Sequence, residues 1–367
     1  MLKICFVVRG LTQGGVKRFL ENILQEINKN VTSEFDIYMI HNEPDFIKRY
    51  NNIIDFYIES KNKFVFDYYK SYLFLRKYEF DVLVYPKNII PLVHFLTKGK
   101  KINIVHDLGY FEKKIKAYPF LDTLFMKTFM AATCKLSDKV LAVSDFTKND
   151  ITSRLSIDPG KVVPIYEGVE GSFKVKEDQI TVKATLEKYK IKKPFIFYSG
   201  SVSPRKNLLR VLKAFYLIRN EITQDLIITG NKVWGETEFE KFAFNYLRDR
   251  VKILGHVGDN ELVDLYNSAD LYVYPSLYEG FGLPILEAQK CGCPVLTSNV
   301  TSCPEVAGEG AHVVNPYSEV EIAEGMLKIL MDDKYSLELI EKGFENVKRY
   351  SWHKSSVNMT EAIKSCV

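Results

Sequence analysis

The sequence lacks any uninterrupted apolar run close to the ~18 residues that cross a membrane, so no transmembrane span is expected in its 367 residues. It also lacks a C-x-x-C pair. Its six cysteines stand at positions 5, 134, 291, 293, 303 and 366. That spacing excludes the usual zinc and dithiol frameworks, and a chain of 42.4 kDa needs no disulfide to hold a core. Cys291, Cys293 and Cys303 therefore read as packing residues, and a reducing cytoplasm fits. There is no low-complexity tract and no internal repeat of roughly 20–50 residues. No D-x-D triplet of the kind that holds a divalent metal occurs, so no metal is expected. The N-terminal MLKICFVVRGL stops being apolar at Arg9, and no small-residue cleavage site follows. It reads as a first buried strand rather than a leader.

Net charge is also scarce. It is only +4, which does not suggest a nucleic-acid partner. The distribution is uneven: residues 1–170 hold 25 Lys/Arg against 20 Asp/Glu, and the rest hold 25 against 26. The positive excess lies wholly in the first half.

What is present is apolar periodicity. The chain is 46% hydrophobic, enough for two cores, and its length suits two domains of roughly 150–200 residues. Lys3–Val8 reads as a strand, and Phe19, Leu20, Ile23, Leu24 and Ile27 then recur at helical spacing. Further strands are expected at Phe35–Ile40, Asp81–Tyr85, Lys101–Val105 and Lys139–Val143. The pattern restarts with a strand at Phe195–Ser199 and a helix at Asn207–Ile218. Strands at Leu226–Thr229, Val251–Leu254, Leu271–Tyr274 and Pro294–Thr297 then alternate with helices at Phe239–Leu247 and Asn260–Ser268. Strand–helix alternation of this kind predicts an α/β protein with two doubly wound parallel sheets. Pro164–Lys176 reads as the linker. The aromatic, basic stretch Asn62–Phe80 reads as an amphipathic helix packed on the core rather than an interfacial one. In open parallel sheets ligands sit at the carboxyl ends of strands, which directs attention to the loops there.

Two such loops carry chemistry. Ser276–Glu287, SLYEGFGLPILE, follows a strand and opens a helix at which Pro284 suits the first turn. Gly280 and Gly282 let backbone approach a ligand, and the amides of Phe281, Gly282 and Leu283 would face an anion at the helix start. Glu279 precedes the turn and Glu287 lies beyond it; alone, the pair would equally fit a capped helix with two solvated acids. Ser199–Asn207, SGSVSPRKN, repeats the logic at an earlier strand end. It presents Arg205, a planar fork for phosphate oxygens, and Lys206, a compact point charge.

These segments resemble the GT-B glycosyltransferases of family 4. Glu279 and Glu287 match that family's E-x7-E motif, and PSLYEGFGLPILEA is close to its consensus. SGSVSPRKN resembles its phosphate-binding loop. VKILGHVGDNELVDLYNSADLYVYPS, CPVLTSNVTSCPEVAGEGAHVVNP and YSWHKSS resemble the segments around them. The likeness is near-continuous from Phe195 to about Trp352, and thinner earlier through GLTQGGVKRFL, IVHDLGY, VLAVSDFTKNDI and PIYEGVE.

The resemblance implies two Rossmann-like domains facing across a cleft. Residues 1–168 would form an acceptor-side domain and 169–351 a nucleotide-sugar domain, with a helix at 352–367 packing back on the first. It implies that Glu287 binds ribose, that Glu279 binds the sugar's 3- and 4-hydroxyls, and that Arg205 and Lys206 bind the diphosphate. Gly14 and Gly15 match a loop that closes over the phosphates. His106 matches a histidine that contacts the transferred sugar, and the nucleobase is expected near Ile253–His256. Two positions depart from the pattern: Ser201 stands where many members have Arg, and Glu167 where the I-x-N-G-V linker has Asn.

The implied activity is retaining, metal-independent hexosyl transfer. The donor is expected to be GDP-mannose first, a UDP- or dTDP-sugar next, and no cofactor is needed because the nucleotide sugar is a substrate. The acceptor would be a glycan or a lipid-linked molecule in polysaccharide synthesis. The basic aromatic run Phe111–Tyr118, FEKKIKAY, suggests peripheral contact with an anionic membrane surface, although a solvated helix face reads equally well. A nucleotide-sugar epimerase or a phosphorylase on a similar scaffold, or a non-catalytic accessory subunit, are the alternatives. No pyridoxal-phosphate lysine motif supports a phosphorylase, and a pure scaffold has no need to keep Arg205, Lys206, Glu279 and Glu287 together.

Overall fold

The computed structural model describes residues 1–10, 15–29, 34–44, 48–112, 115, 119–230 and 238–367. The chain divides into two compact units. Met1–Phe111, Tyr118–Gly168 and Ser351–Val367 form one, and chiefly Val169–Tyr350 the other.

The first unit is built on strands β1 (Leu2–Val8), β2 (Phe35–His41), β3 (Ile53–Tyr57), β4 (Val82–Tyr85), β5 (Lys100–Val105), β6 (Lys139–Ala142) and β7 (Val162–Pro164). They pair in the order β3-β2-β1-β4-β5-β6-β7, every pairing parallel. The helix Gly15–Lys29 buries Phe19, Leu20, Ile23, Leu24 and Ile27, the set its spacing marks out. The helix Trp352–Lys364 belongs to this unit. Trp352 meets Phe19 edge-on at 5.7 Å, Ser355 Oγ donates to the carbonyl of Tyr166 at 2.8 Å, and Lys364 pairs with Glu34 at 2.6 Å.

The second unit carries β8 (Phe195–Ser199), β9 (Asp225–Thr229), β10 (Val251–Gly255), β11 (Leu271–Tyr274), β12 (Val295–Ser298) and β13 (His312–Val314), in the order β10-β9-β8-β11-β12-β13, again all parallel. β8 and β11 are buried along their whole length, because helices cover both faces of a parallel sheet. The helix Leu208–Ile218 contributes Leu208, Val211, Leu212, Phe215 and Ile218 to one side of this core. Each large apolar side chain buried there contributes about 1.5–3 kcal/mol.

The order explains where a site can form. From β8 the chain winds outward through β9 to β10, then returns to place β11 on the other side of β8. The loops leaving β8 and β11 therefore diverge at the switch point of the sheet, where an open α/β fold leaves a crevice.

Three strands escape the sequence pattern: β3, β7 and β13. All lie at sheet edges, where a short run with fewer covered faces suffices. Pro164, read as linker, ends β7.

The stretch Asn62–Phe80 also differs from expectation. It is helical at Lys63–Val65 and Ser71–Lys77, with a π-turn at Phe66–Lys70 between them. Phe66, Asp67, Ser71 and Leu75 are buried, whereas Phe64, Tyr69 and Leu73 are exposed, so it is not simply a core-packing helix. Polar groups set its register. Buried Asp67 pairs with Arg9, and Ser71 Oγ donates to the carbonyl of Phe66 at 2.6 Å. The carbonyl of Asp67 accepts from buried His94 at 2.7 Å.

Lys113, Lys114 and Lys116 of the FEKKIKAY run lie outside the described residues, as does Gly14. Among the described residues no helix is long and apolar enough to cross a membrane. The cysteines are unpaired and all but Cys366 are buried.

Candidate active site

At the end of β8 the chain turns through Gly200, whose φ is +143°, into a short 3-10 turn at Pro204–Lys206. Asn207 follows in the left-handed region at φ 64° and starts the helix Leu208–Ile218. Its side-chain amide donates to the carbonyls of Pro275 at 2.9 Å and Pro316 at 2.7 Å. The amide of Leu277 donates to the carbonyl of Arg205 at 2.8 Å. The loops after β8 and β11 are thereby pinned to each other. Gly230, after β9, has to be glycine: a Cβ there would come within 1.8 Å of the carbonyl oxygen of Gly200.

The loop after β11 runs from Pro275 to Gly282. Gly282 adopts φ +110°, a conformation that side chains disfavour, and the helix Leu283–Lys290 begins immediately after it. Pro284 occupies the first turn, where its missing N–H costs nothing. Phe281 and Leu283 are buried, and Phe281 packs edge-on against Tyr350 at 5.6 Å. Ser302 Oγ donates to the carbonyls of Glu279 at 3.0 Å and Phe281 at 2.7 Å, which fixes the turn from behind. The first amides of the helix have no acceptor within it, which leaves that end suited to an anion.

These two loops bring three of the four residues expected to be catalytic into direct contact. Oε2 of Glu279 lies 3.0 Å from Nη1 of Arg205, and Oε1 lies 2.6 Å from Nζ of Lys206. The same Oε1 accepts from the hydroxyl of Tyr274 at 2.9 Å. Glu279 is 6% exposed and Lys206 8%. Burial alone would raise the Glu279 carboxyl, but the charges of Lys206 and Arg205 outweigh it and hold the group at about 2. For Lys206 burial pushes the ammonium down and Glu279 opposes it. A separation of 2.6 Å, with the ammonium 4.8 Å from the centre of the Tyr274 ring, identifies an ion pair. One carboxylate thus serves two cations.

Glu287, on the helix Leu283–Lys290, is 3% exposed. Its Oε2 accepts from the hydroxyl of Tyr266 at 3.3 Å. That hydroxyl lies 2.9 Å from Oγ of Ser199, the last residue of β8. Glu287 is therefore anchored beneath the same strand end that carries the cations.

His106 and Gly15 belong to the first unit. Gly15 opens the helix Gly15–Lys29. His106 follows β5 and is 8% exposed. Its Nε2 donates to the carbonyl of Pro86 at 3.1 Å, and its ring meets Phe19 edge-on at 4.9 Å. Nδ1 lies 3.7 Å from a carboxylate oxygen of Glu167. The linker position that departs from the family pattern is thus a charged neighbour of the histidine. Sequence reading missed this contact, and it missed Tyr274, Tyr266, Ser199 and Asn207. Only the period-two spacing of Tyr272 and Tyr274 on β11 hinted that those two share a face. Among the described residues no group of three or more His, Cys, Asp or Glu side chains gathers as a metal site.

Two family models match the chain in succession. Glycosyltransferase Family 4 covers residues 13–172 and Glycosyl transferases group 1 covers residues 182–346. Among curated proteins, the O-antigen chain mannosyltransferase B of Escherichia coli is 29% identical over 294 residues, 79% of this chain and 76% of that protein. The serotype-specific mannosyltransferase WbdA of Escherichia coli is 30% identical over 223 residues, which is 59% of this chain but only 27% of that longer protein. Among solved structures, HepE of Anabaena in complex with UDP and glucose superposes with a TM-score of 0.81 at 16% identity, covering 100% of both chains. A glycosyltransferase of Rickettsia africae superposes with a TM-score of 0.77 at 19% identity, covering 100% of this chain and 98% of its own. At such identities the superpositions speak for the fold, which is GT-B. Because the family models account for both halves, and the second spans the Arg205–Lys206–Glu279 cluster, the chain belongs to the family 4 GT-B glycosyltransferases, enzymes that transfer a sugar.

Proposed function

We propose that this enzyme transfers a hexose from a nucleoside diphosphate sugar, GDP-mannose first, to a glycan or lipid-linked acceptor in polysaccharide synthesis. The transfer retains anomeric configuration and needs neither metal nor further cofactor. The observation that carries the reading is the pairing of Glu279 with both Arg205 and Lys206 at the switch point of the second sheet. A diphosphate offers the two cations more negative charge than one carboxylate does. On its arrival Glu279 is released towards the hydroxyls of the sugar, while Glu287 takes the ribose. Gly14 and Gly15 would close over the phosphates, and His106 would contact the transferred sugar.

As the glycosidic bond breaks, charge accumulates on the leaving phosphates, where fixed cations and helix-start amides stabilise it. Cations already in place supply what a divalent ion supplies elsewhere. With Glu279 turned to the sugar's hydroxyls rather than to the reacting carbon, the transfer follows a front-face route in which the departing phosphate accepts the acceptor's proton. The names of the curated relatives, mannosyltransferases of O-antigen chains, support mannose as the sugar and a growing glycan as the acceptor. The basic excess of residues 1–170 supports an acceptor held at an anionic membrane surface.

The buried cluster also bears on the accessory-subunit alternative. A buried Lys206 sharing one buried carboxylate with a half-buried Arg205 costs stability that packing does not return. A scaffold without donor binding would gain by losing them.

Thermal-shift titration with GDP, UDP and dTDP, followed by nucleoside diphosphate release from GDP-mannose and from UDP- and dTDP-sugars, tests the proposal. GDP is expected to raise Tm most, and GDP-mannose to turn over fastest. No shift with any nucleotide and no turnover of any sugar would overturn it.

A further inference from the structure

Both donor-site carboxylates rest on buried tyrosines. Tyr274 and Tyr272 on β11 are fully buried, and Tyr266, on the helix Asp259–Ser268, is 1% exposed. The Tyr274 hydroxyl donates to Glu279 at 2.9 Å and accepts from the Lys206 ammonium. Its ring stacks on that of Tyr272, with centroids 5.8 Å apart and planes 19° apart. The Tyr266 hydroxyl reaches Glu287 at 3.3 Å and Ser199 Oγ at 2.9 Å, and Ser199 Oγ lies 3.0 Å from the Tyr272 hydroxyl.

Packing does not require these hydroxyls. A phenylalanine would fill the same volume without bringing a polar group out of water, so each buried phenol is tolerated only because it is bonded. Both are bonded to the carboxylates named above. Burial and the adjacent carboxylates push both phenols well above their ordinary range, so they remain protonated donors.

We propose that Tyr274 and Tyr266 are positioning residues for sugar transfer: Tyr274 holds Glu279, and Tyr266, braced by Ser199, holds Glu287. The inference rests on the donor-site reading above and extends it to a layer beneath the site. When a diphosphate draws Arg205 and Lys206 away, Glu279 loses both cations but keeps the Tyr274 hydroxyl, which a central strand carries. Tyr274 then decides where the freed carboxylate points. Tyr266 does the same for Glu287, whose Oε2 accepts from its hydroxyl.

The test compares Tyr274→Phe, Tyr266→Phe, Glu279→Gln, Glu287→Gln and the doubles Tyr274→Phe/Glu279→Gln and Tyr266→Phe/Glu287→Gln. Turnover is read as nucleoside diphosphate release from the preferred nucleotide sugar, GDP affinity by calorimetry, and folding by Tm. Tyr274→Phe should lower kcat about tenfold with donor KM within about twofold of wild type. Tyr266→Phe should raise donor KM and the GDP Kd about tenfold at near-normal kcat. A residue that acts only through its glutamate adds nothing once that glutamate is gone, so each double variant should match its glutamate single. A purely structural tyrosine would lower Tm and multiply the defect. Multiplicative doubles, or wild-type kinetics in both tyrosine variants beside impaired glutamate variants, overturn the positioning inference alone. Wild-type kinetics in the glutamate variants remove the donor-site reading and this inference with it.

Discussion

The ammonium of Lys206 lies 2.6 Å from Oε1 of Glu279, and both side chains are buried beneath loops that leave neighbouring strands of one sheet. On the proposed reading a diphosphate takes over this cation from Glu279, and the cation then stabilises the charge that the phosphates gain. Lys206→Ala and Arg205→Ala should each cost on the order of 3 kcal/mol of transition-state stabilisation, or about 10²–10³-fold in rate. Steady-state rates within about threefold of wild type for both variants would contradict the assignment.

The two carboxylates should separate kinetically. Glu279 touches both cations, whereas Glu287 lies on the following helix and accepts from the Tyr266 hydroxyl. Glu279→Gln should lower kcat, whereas Glu287→Gln should chiefly raise KM for the donor. A fall in kcat for Glu287→Gln with donor KM unchanged would reverse the roles.

Chelation should leave activity intact. On the proposed reading Arg205 and Lys206 neutralise the charge that a divalent ion neutralises elsewhere, so rates in excess EDTA are expected to equal those without it. Loss on chelation with recovery in Mg²⁺ or Mn²⁺ would show that the cations do not suffice.

The acid limb of stability should depend on Glu279. Its folded carboxyl is held at about 2 against an ordinary 4.5. A depressed carboxyl contributes stability that is complete above the unfolded value and fades as pH falls towards the folded one. Wild-type Tm should therefore fall more steeply than that of Glu279→Gln as the pH drops from about 4.5 towards about 2. Parallel curves would mean that Glu279 is not an ionised partner of Lys206.

Membrane association is testable by sedimentation with anionic and neutral vesicles at low and high salt. Each Lys or Arg near an anionic surface contributes about 1 kcal/mol, and the attraction fades with salt. Binding should be confined to anionic vesicles at low salt and be weakened by replacing Lys113, Lys114 and Lys116 together with Glu. Equal, negligible binding to both vesicle types would point to an acceptor away from the membrane.

Much of this protein is written locally. Alternating apolar runs marked the central strands of both sheets, because a strand covered on both faces must be apolar throughout. The Gly-Phe-Gly-Leu-Pro run marked a helix start, because only glycine accepts the backbone at Gly282 and only an opening turn accepts Pro284. Residue type and spacing placed Arg205, Lys206 and Glu279 in loops at strand ends and Glu287 on the helix that follows. The partners of those side chains were decided by the tertiary structure. That Tyr266 and Ser199 brace Glu287, and that Glu167 lies beside His106, depend on which strand ends the topology brings together, whereas Tyr274 reaches Glu279 only because the loop leaving β11 folds back on its own strand end. The edge strands β3, β7 and β13 and the π-turn at Phe66–Lys70 belong to the same class. Each is held by neighbours distant in sequence, such as Arg9 for Asp67, and a contact between distant positions leaves no periodicity in the chain.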